Sequence, residues 1–283
     1  MSQLSHRINS QEGLIPLDGQ SKYIRTLILR ALRGGNLGHA GSALSLVEIL
    51  RVLFENVLKF DSKNPNWPDR DRLILSKGHG CLALYAILAH FDFFPKSDLD
   101  RFCHHNSPLG GHPNHEKIKG VDFSTGSLGH GLSVAVGMAL AAKIQKRSSK
   151  VFVIMGDGEL GEGSVWEAAL SAAHHKLNNL IALVDCNKYQ AAGQTQQILN
   201  LEPLSEKWHA FGFDVFESNG HDISELKKVI SQAVIESKKP KMIICHTVKG
   251  KGIPEVEQSR GSHFFYSFSP EQHKAFTEML EKY

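Results

Sequence analysis

The sequence lacks most of the features that settle a fold or a compartment at a glance. It carries 4 cysteines in 283 residues, at positions 81, 103, 186 and 245, and no two form a CxxC pair. That spacing offers no disulfide framework and no CxxC redox or zinc site, and it predicts reduced thiols in a cytoplasmic protein. No apolar run approaches the roughly 20 residues of a membrane span, and the opening stretch MSQLSHRINSQEGLIPLDGQ has no apolar signal-peptide core. An excess of one charge is missing as well. The 32 basic and 29 acidic residues leave a formal net charge of +3, too small to argue for nucleic acid or a membrane surface as partner. There is no internal repeat and no low-complexity tract. His104, His105, His112 and His115 look like a metal cluster, but Pro113 breaks the helix an i, i+3 ligand pair would need. No neighbouring acid or cysteine completes a zinc set.

What is present is a globular composition, 41% hydrophobic and 22% charged. A chain of this length buries about 75% of its unfolded surface. The expectation is one α/β domain over residues 1–283, with the polar residues 1–18 as a loose arm. Apolar spacing predicts helices over 21–32, 44–58 and 81–90, and strands over 72–76, 213–216 and 241–245. Asp222-Ile223-Ser224-Glu225 reads as a capping box opening a helix to 237, and Ser269-Pro270 as the start of a final helix.

The chain is organised around residues 151–193. Val151 to Met155 and Leu180 to Val184 are short apolar runs, suited to strands buried on both faces. Between them lies the turn Gly156-Asp157-Gly158-Glu159-Leu160-Gly161, then Ser164-Val165-Trp166-Glu167, a second capping-box pattern. The turn satisfies G-x-G-x-x-G, a dinucleotide fingerprint. Asp157, however, would repel a diphosphate unless a cation lay between them. Mg²⁺ accepts carboxylate, amide and phosphate oxygens together. Asn187 follows Asp157 by thirty residues, just past the next strand. Neighbouring parallel strands would bring both to one sheet edge, beside a helix N-terminus that favours anions.

GDG, about thirty residues and then Asn resembles the metal and diphosphate motif of thiamine-diphosphate enzymes. The wording GDGELGEGSVWEA resembles the transketolase family in particular, and the likeness runs over roughly residues 20–265. It implies a thiamine-diphosphate-binding fold with a mostly parallel sheet and helices on both faces. By the resemblance, Asp157, Asn187 and the backbone carbonyl of Tyr189 hold Mg²⁺. His79, Gly158, Glu159, Asn187 and His263 lie at the diphosphate. Gly126 and Leu128, in TGSLGHGL, lie along the cofactor rings. His39, in Gly38-His39-Ala40-Gly41, and His112, in Gly111-His112-Pro113, face the sugar and serve catalysis. Lys249 and Lys251, in Thr-x-Lys-Gly-Lys-Gly, suit a diphosphate or a solvated loop equally. Where the family has an apolar residue, Asp and Gly, this chain has Ala191-Ala192-Gly193.

The implied activity is transfer of a two-carbon ketol unit from a ketose phosphate to an aldose phosphate. Transketolases carry a pyrimidine-binding domain after the diphosphate domain, with the glutamate that activates the cofactor. The expectation is therefore the N-terminal subunit of a split transketolase, completed by a separate C-terminal chain in an α2β2 assembly. The alternatives are a subunit of another thiamine-diphosphate enzyme (an acyloin-forming synthase or a 2-oxo acid enzyme) and a non-catalytic cofactor-binding remnant.

Overall fold

The computed structural model describes residues 15–35, 37–235, 237–259, 265, 266 and 268–282. Five strands form its main sheet: β1 (Arg72–Leu75), β2 (Val151–Gly156), β3 (Leu180–Cys186), β4 (Asp214–Asn219) and β5 (Lys241–His246). They lie in the order β1-β2-β3-β5-β4, and every neighbouring pair is parallel. Antiparallel pairing is confined to two-residue ribbons, such as Tyr189–Gln190 with Gly193–Gln194.

Alternation along the strands builds a core on each face. Phe152, Ile154, Ile181, Leu183 and Ile243 point to one side. There they meet α1 (Gly19–Gly35), α2 (Ala40–Leu44), α3 (Val47–Val52) and α4 (Cys81–His90). Val151, Val153, Met155, Ala182, Val184 and Met242 point to the other. These pack on α5 (His130–Ile144), α6 (Gly163–His174) and α7 (Leu204–Ala210). Two more helices complete the first layer, α8 (Ile223–Ala233) and α9 (Pro270–Lys282). Both faces being covered explains why the strands read as unbroken apolar runs. The α/β class, the parallel sheet and the helices on both faces are as expected.

Several boundaries differ, each for a local reason. The helix expected over 44–58 is divided at Ser45, whose hydroxyl bonds back to Ser42 O at 3.1 Å and also reaches Asp185. Its last turn, Leu53–Val57, is a π-helix. The capping box at Ser164 does not form. The helix starts at Gly163, and Ser164 Oγ donates instead to Gly129 O at 3.0 Å. Asp222 does cap α8, accepting from Ser224 N and Glu225 N at 2.9 and 3.0 Å, but Glu225 turns back to Asn219 N rather than to Asp222 N. At α9 the box is reciprocal, between Ser269 and Gln272. Residues 1–14 of the expected arm lie outside the described residues. Asp18, at its end, is tied down by Ser21 N at 2.7 Å and by Arg51 at 2.6 Å. Among the described residues no helix is long and apolar enough to cross a membrane.

Candidate active site

Strands β1, β2, β3 and β5 end at one rim, and the loops that follow enclose a cavity of about 260 Å³. Ligand sites in open α/β sheets belong at this carboxyl edge. The cavity is lined by Ser42, Lys77, His79, Leu128, Asp157, Gly158, Glu159, Asn187, Tyr189 and Lys249, among others.

The register pairs Gly156 with Asp185, so Asp157 and Asn187 meet across adjacent strand ends. Lys188 N donates to Asp157 Oδ2 at 2.6 Å, and Gly158 N to Asp157 Oδ1 at 2.9 Å. Asn187 Oδ1 accepts from Tyr189 N at 3.0 Å, while its Nδ2 donates to Asp185 at 3.3 Å. Lys188 adopts φ 67°, uncommon for a side-chain-bearing residue, and this turn wraps the 187–189 backbone around the Asp157 carboxylate. Gly158 has to be glycine, because a Cβ there would lie 2.6 Å from Gln190 Cβ.

Beneath these residues sits Asp185, fully buried. It accepts from Ser45 Oγ, Thr247 Oγ1, Asn187 Nδ2 and the Lys77 ammonium. Burial opposes its ionisation, but the Lys77 charge and the hydroxyl donors hold it below the usual carboxylate range. Asp157 has the opposite balance. Burial, and then the Asp185 charge, push it up to about 7 despite its two backbone N–H donors. Lys249 is the complementary case. Its side chain is buried and no hydrogen-bond partner meets its Nζ among the described residues. Burial and the nearby Lys77 ammonium push it down to about 8.

These two residues test the fit of a metal and a diphosphate. The cavity holds a buried acid and a buried ammonium, and among the described residues neither has an opposite charge in contact. Isolated buried charges are costly. A divalent cation beside Asp157 and Asn187, with an anion beside Lys249, would answer both, and the oxygen donors suit a hard ion. Among the described residues there is no cluster of three His, Cys, Asp or Glu side chains able to hold a metal alone. The expected set does not need one, since it draws on one carboxylate, one amide and one backbone carbonyl.

The histidines expected to act together are together. His39 precedes α2, His79 lies in the turn after β1, and His112 lies in the loop after Cys103. The His39 ring centroid is 5.3 Å from that of His79 and 6.2 Å from that of His112. Partial burial lowers His112. Gly126 packs against it, since a Cβ there would meet the His112 ring at 3.3 Å. Tyr85 OH donates to Gly110 O at 2.9 Å and Cys81 Sγ to Gly111 O at 3.2 Å, so α4 holds the backbone that carries His112.

Glu159 lines the cavity, but its carboxylate is turned inward. It accepts from Ser76 Oγ, from Gly129 N at 2.9 Å and from Gly156 N at 3.1 Å. Glu159 therefore ties three loops together, and its oxygens do not face a ligand. His263 lies outside the described residues. Lys77, Ser42 and Asp185 were not expected at the site. A lysine directly before Gly-His-Gly and an acid closing the apolar run LIALVD were the signals in the sequence.

Residues 19–266 match the family described as transketolase, thiamine diphosphate binding domain. The chain is 43% identical over 271 residues to a 6-deoxy-6-sulfo-D-fructose transketolase subunit of a Clostridium species, covering 96% of this chain and 98% of the relative. It is 48% identical over 220 residues to an apulose-4-phosphate transketolase subunit from Actinobacillus succinogenes, covering 78% and 79%. Among solved structures, transketolase from Campylobacter jejuni superimposes with a TM-score of 0.86 at 36% identity, over 93% of this chain and 42% of that one. Transketolase from Leishmania mexicana gives 0.79 at 31%, over 95% and 45%. The chain thus spans less than half of these solved transketolases, yet most or nearly all of the relatives named as subunits. On the match over most of its length, the chain belongs to the transketolase family and carries that family's thiamine-diphosphate-binding domain.

Proposed function

We propose that this chain is the diphosphate-binding subunit of a two-chain transketolase that moves a two-carbon ketol unit between sugars and depends on Mg²⁺. The observation that carries this is the pairing, in one cavity, of Asp157 and Asn187 with the unpartnered Lys249 ammonium. When bound, thiamine diphosphate supplies a nucleophilic carbon that accepts and releases the ketol fragment. This chain holds the other end of it. Asp157, Asn187 and the Tyr189 carbonyl take the metal. Lys249 meets the diphosphate charge, with His79 and Gly158 lining the same cavity. Lys77, paired with Asp185, adds no free charge to the floor of the cavity. Leu128, in the cavity lining, and Gly126 would pack along the rings.

His39 and His112 stand where sugar hydroxyls would enter, and His112, lowered by burial, is predominantly neutral near pH 7. A neutral imidazole can accept a hydroxyl proton and return it. The related subunits are named for a sulfonated ketose and a ketose phosphate. Both names support a ketose with an anionic terminus as donor. Their designation as subunits supports a separate C-terminal chain, in an α2β2 complex. Free thiols at all four cysteines are in keeping with a reducing cytoplasm.

The test is a donor comparison with the chain, its partner subunit, thiamine diphosphate and Mg²⁺. Ketol transfer from a ketose phosphate to an aldose phosphate is expected, and pyruvate should be inert. Turnover of pyruvate with no ketol transfer would reassign the chain to the 2-oxo acid enzymes. Cofactor uptake with neither activity would mark a remnant. A finer outcome follows from Tyr85. Tyr85→Phe removes the donor to Gly110 O and should cost about 1 kcal/mol of stability in denaturant titration. It should raise the sugar KM several-fold and leave the cofactor Kd unchanged, because only the His112 loop is loosened.

A further inference from the structure

We propose that Arg25, Glu48 and His221 form a buried clamp that positions the Lys249 ammonium for the diphosphate. This rests on reading the cavity as a diphosphate site. None of the three residues lines the cavity. They act on the loop that follows β5, where Lys249 lies between backbone groups held from outside the loop. Val248 N donates to His221 Nε2 at 2.8 Å. Gly250 N donates to Gly41 O at 3.0 Å. Lys251 O accepts from Arg25 Nε at 2.8 Å.

The three side chains lock one another. His221 Nδ1 is 2.8 Å from Glu48 Oε2. Since an N–H points at Nε2, the proton of the neutral ring sits on Nδ1 and is given to Glu48. Arg25 also grips Glu48 twice, at 2.6 and 3.1 Å. Its remaining bonds go to Ser21 O, Leu44 O and Lys251 O. All five guanidinium N–H donors are thereby engaged. Side-chain exposure is 0% for Arg25, 1% for Glu48 and 4% for His221. Burial opposes the Glu48 charge, but Arg25 and His221 hold it far below the usual carboxylate range.

A buried ionic cluster is seldom the most stable filling for such a volume, and well-packed apolar side chains often do better. What it provides here is direction. It joins α1, α3 and the turn before α8 to the backbone on either side of Lys249. The Lys249 stem lies over Gly41, where an added Cβ would meet Lys249 Cγ at 3.1 Å and Cε at 3.4 Å. A shift of the loop is therefore passed directly to Nζ.

Asparagine and glutamine at 221 separate the two bonds of the imidazole. Asparagine can reach Glu48 from the Nδ1 position but not Val248. Glutamine places an acceptor near the Nε2 position. The measurement is calorimetric titration of inorganic diphosphate with Mg²⁺ into the full chain with its partner subunit. His221→Asn should weaken binding about tenfold, the equivalent of one buried hydrogen bond, and His221→Gln should stay within about threefold of the parent. Lys249→Met should also weaken binding, and adding His221→Asn to it should change nothing further, because both act through one ammonium. An equal loss from His221→Asn with and without Lys249, or no loss at all, overturns the clamp. If the unaltered protein takes up no diphosphate, the cavity assignment itself fails. The clamp is then judged by amide exchange at Val248 and Gly250. Faster exchange in His221→Asn than in His221→Gln supports it, and equal protection in both overturns it.

Discussion

Asp157→Asn is expected to make the metal-free chain more stable at pH 8 and to abolish its Mg²⁺-dependent uptake of thiamine diphosphate. The stability half follows from the sign of the shift. Asp157 titrates at about 7 in the folded chain, against a reference of 3.8. The folded state therefore holds its proton longer than the unfolded state does. Stability is undiminished below about pH 4, falls as the pH rises to about 7, and stays low above it. The difference between 3.8 and about 7 corresponds to about 4 kcal/mol at most. Asparagine carries no charge to bury and keeps an acceptor for Lys188 N or Gly158 N. Thermal melts of the metal-free variant should therefore show a flatter pH profile and a higher midpoint at pH 8. In the parent protein Mg²⁺ should restore stability most strongly above pH 7, where the carboxylate is free to bind it. The binding half follows from the donor set. With one carboxylate among its ligands, the site loses its only full negative charge from a side chain. Cofactor affinity should fall at least about a hundredfold, since a buried divalent ion is then left uncompensated. A variant that keeps parental Mg²⁺-dependent affinity would remove Asp157 from the metal site.

The same pair of residues explains how much of the site could be read in advance. Asp157 and Asn187 were legible because strand length and parallel pairing are carried by apolar runs, and β2 and β3 pair in the register those runs imply. The order of His39, His79 and His112 was legible only through resemblance, since loops set their meeting and no periodicity encodes it. Lys77 and Asp185 were missed because each occupies a position where a solvated charge would be ordinary. Only the fold reveals that β1 and β3 aim them at one another. The capping pattern at Ser164 failed because Gly129, at φ 82° and with Glu162 Cβ only 2.6 Å from where its own Cβ would stand, takes the hydroxyl for a tertiary contact. The Arg25–Glu48–His221 cluster could not have been read at all. Its members stand 23 and 173 positions apart, and nothing local marks them.

The second large effect concerns what the chain does alone. Purified by itself it is expected to turn over no sugar, and adding the C-terminal subunit should raise the rate from background by at least about a thousandfold. The reason lies in how the acids of the cavity are employed. Proton transfer at the reactive ring needs a carboxyl group that can reach the ring and change its protonation state during turnover. Asp157 is committed to the backbone turn, where it accepts from Gly158 N and Lys188 N. Asp185 is committed to Lys77, Ser45 and Thr247. Glu159 is committed to Ser76, Gly129 and Gly156. All three stand at the rim formed by β2 and β3, the end proposed to receive the diphosphate. Burial raises Glu159, and its carboxylate is already engaged by three internal donors. On the proposed two-chain reading, the acid that activates the cofactor comes from the partner's pyrimidine-binding domain. Titrating that subunit into a fixed concentration of this chain should give a rate that saturates at one partner per chain, with light scattering reporting a two-plus-two complex. Replacing the partner's activating glutamate should leave assembly and diphosphate uptake intact while removing turnover, because the metal, the Lys249 charge and the histidines remain in place on this side. Robust ketol transfer by this chain without any partner would overturn the argument, since it would require one of the three committed carboxylates to leave its donors during each cycle.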